Sequence, residues 1–179
     1  IESFKVLYPT PLKVSLELTT PKKFSATLTE RPIPGDATSS RTKNELPAYV
    51  AFQGDGDVTA PIVYVNYGMP DDYKALERMG VDVKGKIVIA RYGKCFRGYK
   101  ARFAQEVGAA GLIIYTDPGD SGFTKGKVWP DGGGWANDLC IQRGTLNTLP
   151  YPGDPGTPGV FSSDSVVRDD PAKLDLPTI

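Results

Sequence analysis

The sequence predicts an α+β fold, mostly β, with short flanking helices and one strand–helix–strand crossover. Three observations carry that prediction. Two strictly alternating runs occupy residues 13–19 and 24–29, a strand–helix–strand pattern spans residues 86–116, and glycine and proline dominate residues 117–158. Alternation is the mark of a half-buried strand, apolar spacing of three to four marks a helix, and Gly/Pro clusters mark irregular chain.

In the first run Val14, Leu16 and Leu18 share one face and Lys13, Ser15, Glu17 and Thr19 the other; Phe24, Ala26 and Leu28 repeat the pattern in the second. The Thr20-Pro21-Lys22-Lys23 segment between them predicts an antiparallel hairpin. Residues 32–44, rich in Pro, Gly, Ser and Thr, read as an exposed loop. A short strand is expected at 49–52 and a firmer one at 62–67. Pro70, Asp71 and Asp72 suit a helix start, Tyr73, Leu76 and Met79 share its inner face, and Gly80 ends it.

The most regular unit follows. Residues 86–91 form an apolar-centred strand, and 111–116 another. Between them Tyr99, Phe103, Ala104 and Val107 recur at helical spacing across 98–107, closed by Gly108. Short links in this order require a parallel pair joined by a right-handed crossover. Little regular structure is expected across 117–158, a loop region whose length points to function. Val128-Trp129 and Leu139-Cys140-Ile141 are expected to pin it to the core, and Val160-Phe161 and Val166-Val167 to add a last strand or short helix. Trp129, Tyr115 and Phe103 are read as core residues.

The chain has 179 residues, which suits a single domain over 1–179, and 21 basic against 21 acidic side chains leave no net charge. Such a surface lacks the basic field that drives binding to nucleic acid. The apolar stretches, such as 111–115, are far too short to cross a bilayer. Histidine is absent altogether. The commonest general base and the commonest zinc ligand are therefore both missing, so no catalytic residue is assigned to this chain. Both ends, from Ile1 and at Leu176-Pro177-Thr178-Ile179, read as cut from a longer protein.

Three segments stand out together: Lys86-Ile87-Val88-Ile89-Ala90-Arg91-Tyr92-Gly93-Lys94-Cys95-Phe96-Arg97-Gly98, Ala109-Ala110-Gly111-Leu112-Ile113-Ile114-Tyr115-Thr116-Asp117-Pro118, and Ile141-Gln142-Arg143-Gly144. Gly153-Asp154-Pro155-Gly156-Thr157-Pro158-Gly159 follows them. In order and spacing they closely resemble the PA (protease-associated) domain of the glutamate carboxypeptidase II and transferrin receptor group, over residues 48–179. That resemblance implies a β-sandwich or open barrel. It also implies a non-catalytic domain that covers the cleft of a secreted zinc exopeptidase, extracellular or periplasmic, often a homodimer. Two zinc ions would lie in a separate protease domain, the partner of this one, and the substrate would be a peptide. The other reading is a receptor-type interaction module with no part in peptide cleavage.

Residue by residue, the resemblance assigns Arg97 to the substrate's free α-carboxylate. A guanidinium binds a carboxylate bidentately, and a helix start favours an anion; a solvated arginine in a surface ion pair is the plainer reading. Thr145 stands where the carboxypeptidases carry a substrate-binding asparagine, so an aminopeptidase or a broader carboxypeptidase is equally admissible as the parent. Thr157 and Val160 fall on the PA half of a calcium site completed by the protease domain; the plainer reading there is a Pro-Gly turn, and calcium takes about six to eight oxygens. Cys95 and Cys140 each precede a site segment, and if the fold joins those segments a disulfide contributing about 3–4 kcal/mol becomes possible. Asp131-Gly132-Gly133-Gly134-Trp135 lacks the Gly-Lys-Ser/Thr ending of a phosphate loop and reads as a loop at the cleft rim.

Overall fold

The computed structural model describes residues 1–40, 46–148, 151 and 153–174. In chain order its elements are β1 (Glu17–Leu18), β2 (Phe24–Ser25), β3 (Val50–Ala51), β4 (Ile62–Tyr64), α1 (Pro70–Arg78), β5 (Ile87–Arg91), α2 (Arg97–Glu106), β6 (Gly111–Tyr115) and β7 (Gly144–Thr145). Short 3-10 turns lie at Phe123–Lys125 and Pro171–Lys173. Strand and loop predominate around two helices, as an α+β fold requires.

The organising sheet is parallel, in the order β4-β5-β6, with Val88 opposite both Val63 and Leu112. Alternation along β5 turns Val88 and Ala90 to one face, where they are fully enclosed with Val65, Tyr73, Val83 and Ala104. Both helices supply that cover: α1 sends in Tyr73 and Leu76, and α2 sends in Ala104, Phe103 and Val107. Pro70 opens α1, and the Asp72 carboxylate accepts from the Met69 N–H at 2.9 Å, a reciprocal cap. Gly80, at φ 72°, lets the chain turn out of α1. Met79 is left outside, at 67% exposure, because it falls at the cap where the helix has already ended. Tyr99 is likewise half-exposed rather than inward, and stacks on Phe103 at 6.2 Å. Tyr115 and Phe103 are part-buried at the margins of the core.

The N-terminal hairpin forms with the expected antiparallel sense but is short, pairing Glu17 with Ser25 and Leu18 with Phe24. Its apolar side chains stay open: Leu16, Leu18 and Phe24 are all exposed. Leu16 and Leu28 border a groove of about 800 Å³ shared with Ile113, Tyr115 and Ile141. β3 and β7 form a second parallel pair, with Val50 opposite Gly144 and Ala51 opposite Thr145. No run of alternation announces β7, which lies inside the region read as loop.

Across residues 117–158 regular structure is otherwise sparse among the described residues, as expected. Trp129 is the exception to the expected packing: it is 59% exposed. The segment closes on itself through Trp129 N–H to Trp135 O (3.0 Å) and Gly133 N–H to Val128 O (3.2 Å), so it forms a surface loop instead of entering the core. Val160-Phe161 and Val166-Val167 form neither strand nor helix, and Phe161 and Val167 stand 95% and 92% exposed. Residues 32–40 are largely exposed, while 41–44 of that expected loop, positions 149, 150 and 152 of the longer one, and the final 175–179 lie outside the described residues.

Candidate functional site

Where β5 ends, Gly93 (φ 110°) and Lys94 (φ 68°) turn the chain toward α2, and Arg97 becomes its first residue. The Arg97 side chain runs back across the helix start to β7. Its Nη1 donates to the Thr145 carbonyl at 3.3 Å, and its Cζ stands 5.4 Å from the Phe96 ring centroid. A Cβ on Gly144 would come within 2.7 Å of that Cζ, so only glycine lets the guanidinium lie flat on this strand. Nε is buried and makes no hydrogen bond among the described residues. The adjacent Tyr92 phenol is pushed up by burial, against the opposing pull of the Arg97 charge.

The two segments are joined at a second point. Gly98 is buried, and a Cβ there would meet Leu146 O at 2.5 Å and Thr148 Cγ2 at 2.7 Å. Four residues on, Arg102 Nε donates to Thr148 Oγ1 at 3.2 Å. The start of α2 thus lies directly on residues 144–148. From the other side Glu30 holds the Gln142-Arg143-Gly144 turn: its carboxylate takes Arg143 Nη1 at 2.8 Å and the Ile141 N–H at 3.3 Å. Arg143 also donates to Leu46 O at 3.0 Å, so it anchors the turn and does not face Arg97.

The structure therefore brings Arg97 and Thr145 together. The Thr145 hydroxyl accepts the Asn147 N–H at 3.0 Å, which leaves it one proton to donate. Thr157 and Val160 lie elsewhere. Thr157 is buried with its Oγ1 unpartnered, whereas Val160 is exposed. The nearby Asp154 carboxylate is committed to the Leu7 and Gly156 N–H groups and to Arg168. One unpartnered oxygen does not make a calcium site, and no cluster of three His, Cys, Asp or Glu side chains exists among the described residues. Calcium does not fit this chain by itself.

Cys95 and Cys140 are both free thiols, so the expected disulfide is not formed. The segments do meet, but at Arg97 and Gly144. Cys95 lies beside the Lys100 ammonium, and Cys140 is exposed four residues before Gly144, on the groove wall that holds Ile141 and Gln142. Sequence reasoning also passed over Tyr92, Gly98 and Lys100. A glycine inside helical periodicity was the available signal for Gly98; a lysine on an inward helical position was the signal for Lys100.

Residues 58–163 match the family model described as the PA domain. A probable glutamate carboxypeptidase of Arthroderma benhamiae is 40% identical over 162 residues, covering 87% of this chain and 22% of that protein. Aminopeptidase NAALADL1 of Rattus norvegicus is 37% identical over 135 residues, covering 73% and 18% respectively. Among solved structures, a zinc aminopeptidase from Bacillus subtilis superposes with a TM-score of 0.34 at 26% identity, over 41% of this chain and 17% of that one. The chain spans about a fifth of the length of these two curated relatives.

Proposed function

This chain belongs to the PA domain family, and from that membership we propose that it forms a non-catalytic wall over the cleft of a zinc exopeptidase. The catalytic metals and bases reside on a separate protease domain, which is its partner. On this wall Arg97 receives the free α-carboxylate of a peptide substrate, with the Thr145 hydroxyl as a neighbouring donor.

One observation supports this reading above the rest: the Arg97 guanidinium is laid against the bare backbone of Gly144 and beside the Tyr92 phenol, with an Nε–H that is unpaired among the described residues. Buried donors are ordinarily paired, and an orphan on a planar cation is suited to an anion. The α2 N-terminus adds backbone N–H groups and a favourable dipole at the same place. Tyr92 and Phe96 lower the local dielectric around the charge, which strengthens its pull on a carboxylate. Relatives named as carboxypeptidase and as aminopeptidase both align with this chain, at 40% identity over 162 residues and 37% over 135, so either kind of parent is admitted.

The test is Arg97→Ala in the peptidase that carries this domain. A charge-assisted pair contributes about 1.5–3 kcal/mol, so KM for substrates with a free C-terminus rises roughly 10- to 150-fold while kcat changes little. An unchanged KM removes Arg97 from the site. Hydrolysis by the purified chain alone overturns the whole reading.

A further inference from the structure

Among the described residues one charged side chain is fully enclosed: Lys100. It lies one turn into α2, three residues after Arg97, on the inward face. Its Nζ reaches back past the helix start and donates to Tyr67 O at 2.5 Å and Gly93 O at 2.7 Å. The ammonium stands 5.7 Å from the Tyr67 ring centroid.

Those carbonyls belong to two different turns, at the C-terminal ends of the neighbouring strands β4 and β5. Both turns use left-handed backbone, at Asn66 (φ 51°) and Gly68 (φ 65°) in one, and at Gly93 (φ 110°) and Lys94 (φ 68°) in the other. Such turns direct carbonyls away from any sheet ladder, and once enclosed those oxygens require donors. An ammonium is an expensive way to supply them, since burial disfavours the charged form. A neutral side chain of similar length fills the same volume without that penalty, so packing alone gives no reason for lysine here.

We propose that Lys100 is a positioning residue, whose ammonium ties the Tyr67 and Gly93 turns together and so sets the angle at which the 93–96 loop presents Arg97 to Gly144 and Thr145. The proposal rests on the assignment of Arg97 to the substrate carboxylate for its functional consequence, but not for its structural one. The neighbouring groups fit it. Burial pulls the Lys100 ammonium below the usual lysine range, the nearby Asp72 carboxylate opposes that shift, and Arg91 and Lys94 complete the cation set around the same Tyr67 ring at 4.2 and 5.4 Å.

Lys100→Met keeps the length and removes the donors. In this chain the variant is expected to move the Arg97 Nε–H resonance and to speed amide exchange at Gly68 and Tyr99 about tenfold or more, while amides of β5 and β6 keep their protection. In the whole peptidase it is expected to raise KM for free-C-terminus substrates about fivefold with kcat nearly unchanged. Placed on Arg97→Ala it adds nothing further, because both changes act through one guanidinium. A folded Lys100→Met chain with an unmoved Arg97 resonance overturns the proposal, as does an effect that adds to that of Arg97→Ala. If Lys100→Met does not fold, Gly93→Ala perturbs the same loop from its other end, its new Cβ pressing on the Tyr67 ring at 3.1 Å, and is read by the same resonance. An Arg97→Ala enzyme with normal KM defeats the carboxylate assignment instead, and the resonance then decides on Lys100 alone.

Discussion

Residues 62–115 and residues 117–174 solve the same problem by different means. The first stretch hides Val65, Val88, Ala90 and Ala104 completely between a three-stranded sheet and two helices. The second hides almost no large apolar side chain among its described residues and is fastened at points instead. Arg31 pairs with Asp131 at 2.7 Å, Arg143 with Glu30 at 2.8 Å, and Arg168 with Asp154. Each of these bonds joins residues far apart in sequence or closes a loop. The contrast shows how a loop-rich face can be given a fixed shape without a core of its own: Glu30 and Arg31 clip it from the N-terminal segment, Arg168 and Asp154 close it on itself, and Arg97 and Arg91 fasten it to the platform through Thr145 O at 3.3 Å and Asp120 at 3.3 Å.

If that division is right, the two halves should fail differently. The largest effect belongs to the platform. Val88→Asp places an unpaired carboxylate where no solvent reaches, at a cost of several kcal/mol against a total stability of about 5–15. The expected result is loss of the cooperative thermal transition seen by circular dichroism. A variant melting within a few degrees of the parent breaks the comparison. Gly98→Ala comes next, because it strikes the joint between the halves. Its Cβ meets a backbone oxygen, Leu146 O, which cannot rotate away, and the Phe96 ring at 2.6 Å. Overpacking of this kind costs about 1–3 kcal/mol, or a fall in Tm of about 2–10 °C. A signature confined to α2 and residues 144–148 in amide chemical shifts sharpens the picture; a uniform loss of protection over β4, β5 and β6 contradicts it.

The same division explains what could be read from the sequence. Strands at 62–67, 86–91 and 111–116 and both helices announce themselves, because a sheet covered by helices imposes period two and period three to four on its residues. β3 falls inside the short strand expected at 49–52, but its partner β7 does not announce itself, since two residues are too few to carry a period. Trp129 was misread because bulk suggests burial, yet its loop is closed by backbone bonds and leaves the ring outside. Partners such as Glu30 with Arg143, or Asp154 with Leu7 directly and with Lys5 through Arg168, are set by three-dimensional approach across more than a hundred residues, which spacing along the chain does not encode. The site lies on the boundary of both regimes. Arg97 was legible from its place at a helix start within a family-like segment. That it rests on Gly144, and that Lys100 holds its loop, follows only from the fold.

The smallest of these effects concerns the Asp154 clasp, where pH separates charge from packing. Asp154 accepts from the Leu7 N–H at 3.0 Å and the Gly156 N–H at 3.1 Å and pairs with Arg168, which in turn donates to Lys5 O at 2.9 Å. Burial pushes the Asp154 carboxyl up, but these donors together outweigh it and hold it below the ordinary 3.8. A carboxyl lowered in the folded state stabilises that state above its unfolded pKa, and the contribution is lost as pH falls through the lower folded value. Asp154→Asn is therefore expected to cost about 1–2 kcal/mol at pH 7, with faster exchange of the Leu7 and Asp169 amides and little change in β5. As pH falls below 3.8 and through the lower folded value, the gap in stability between the two proteins should narrow toward zero, because both then carry a neutral side chain at position 154. Asp117, lowered first by the Gly119 N–H, is present alike in both proteins and so drops out of the difference. A gap that persists undiminished in acid means that shape, rather than charge, holds the N-terminal segment at residues 5–7 to residues 153–168.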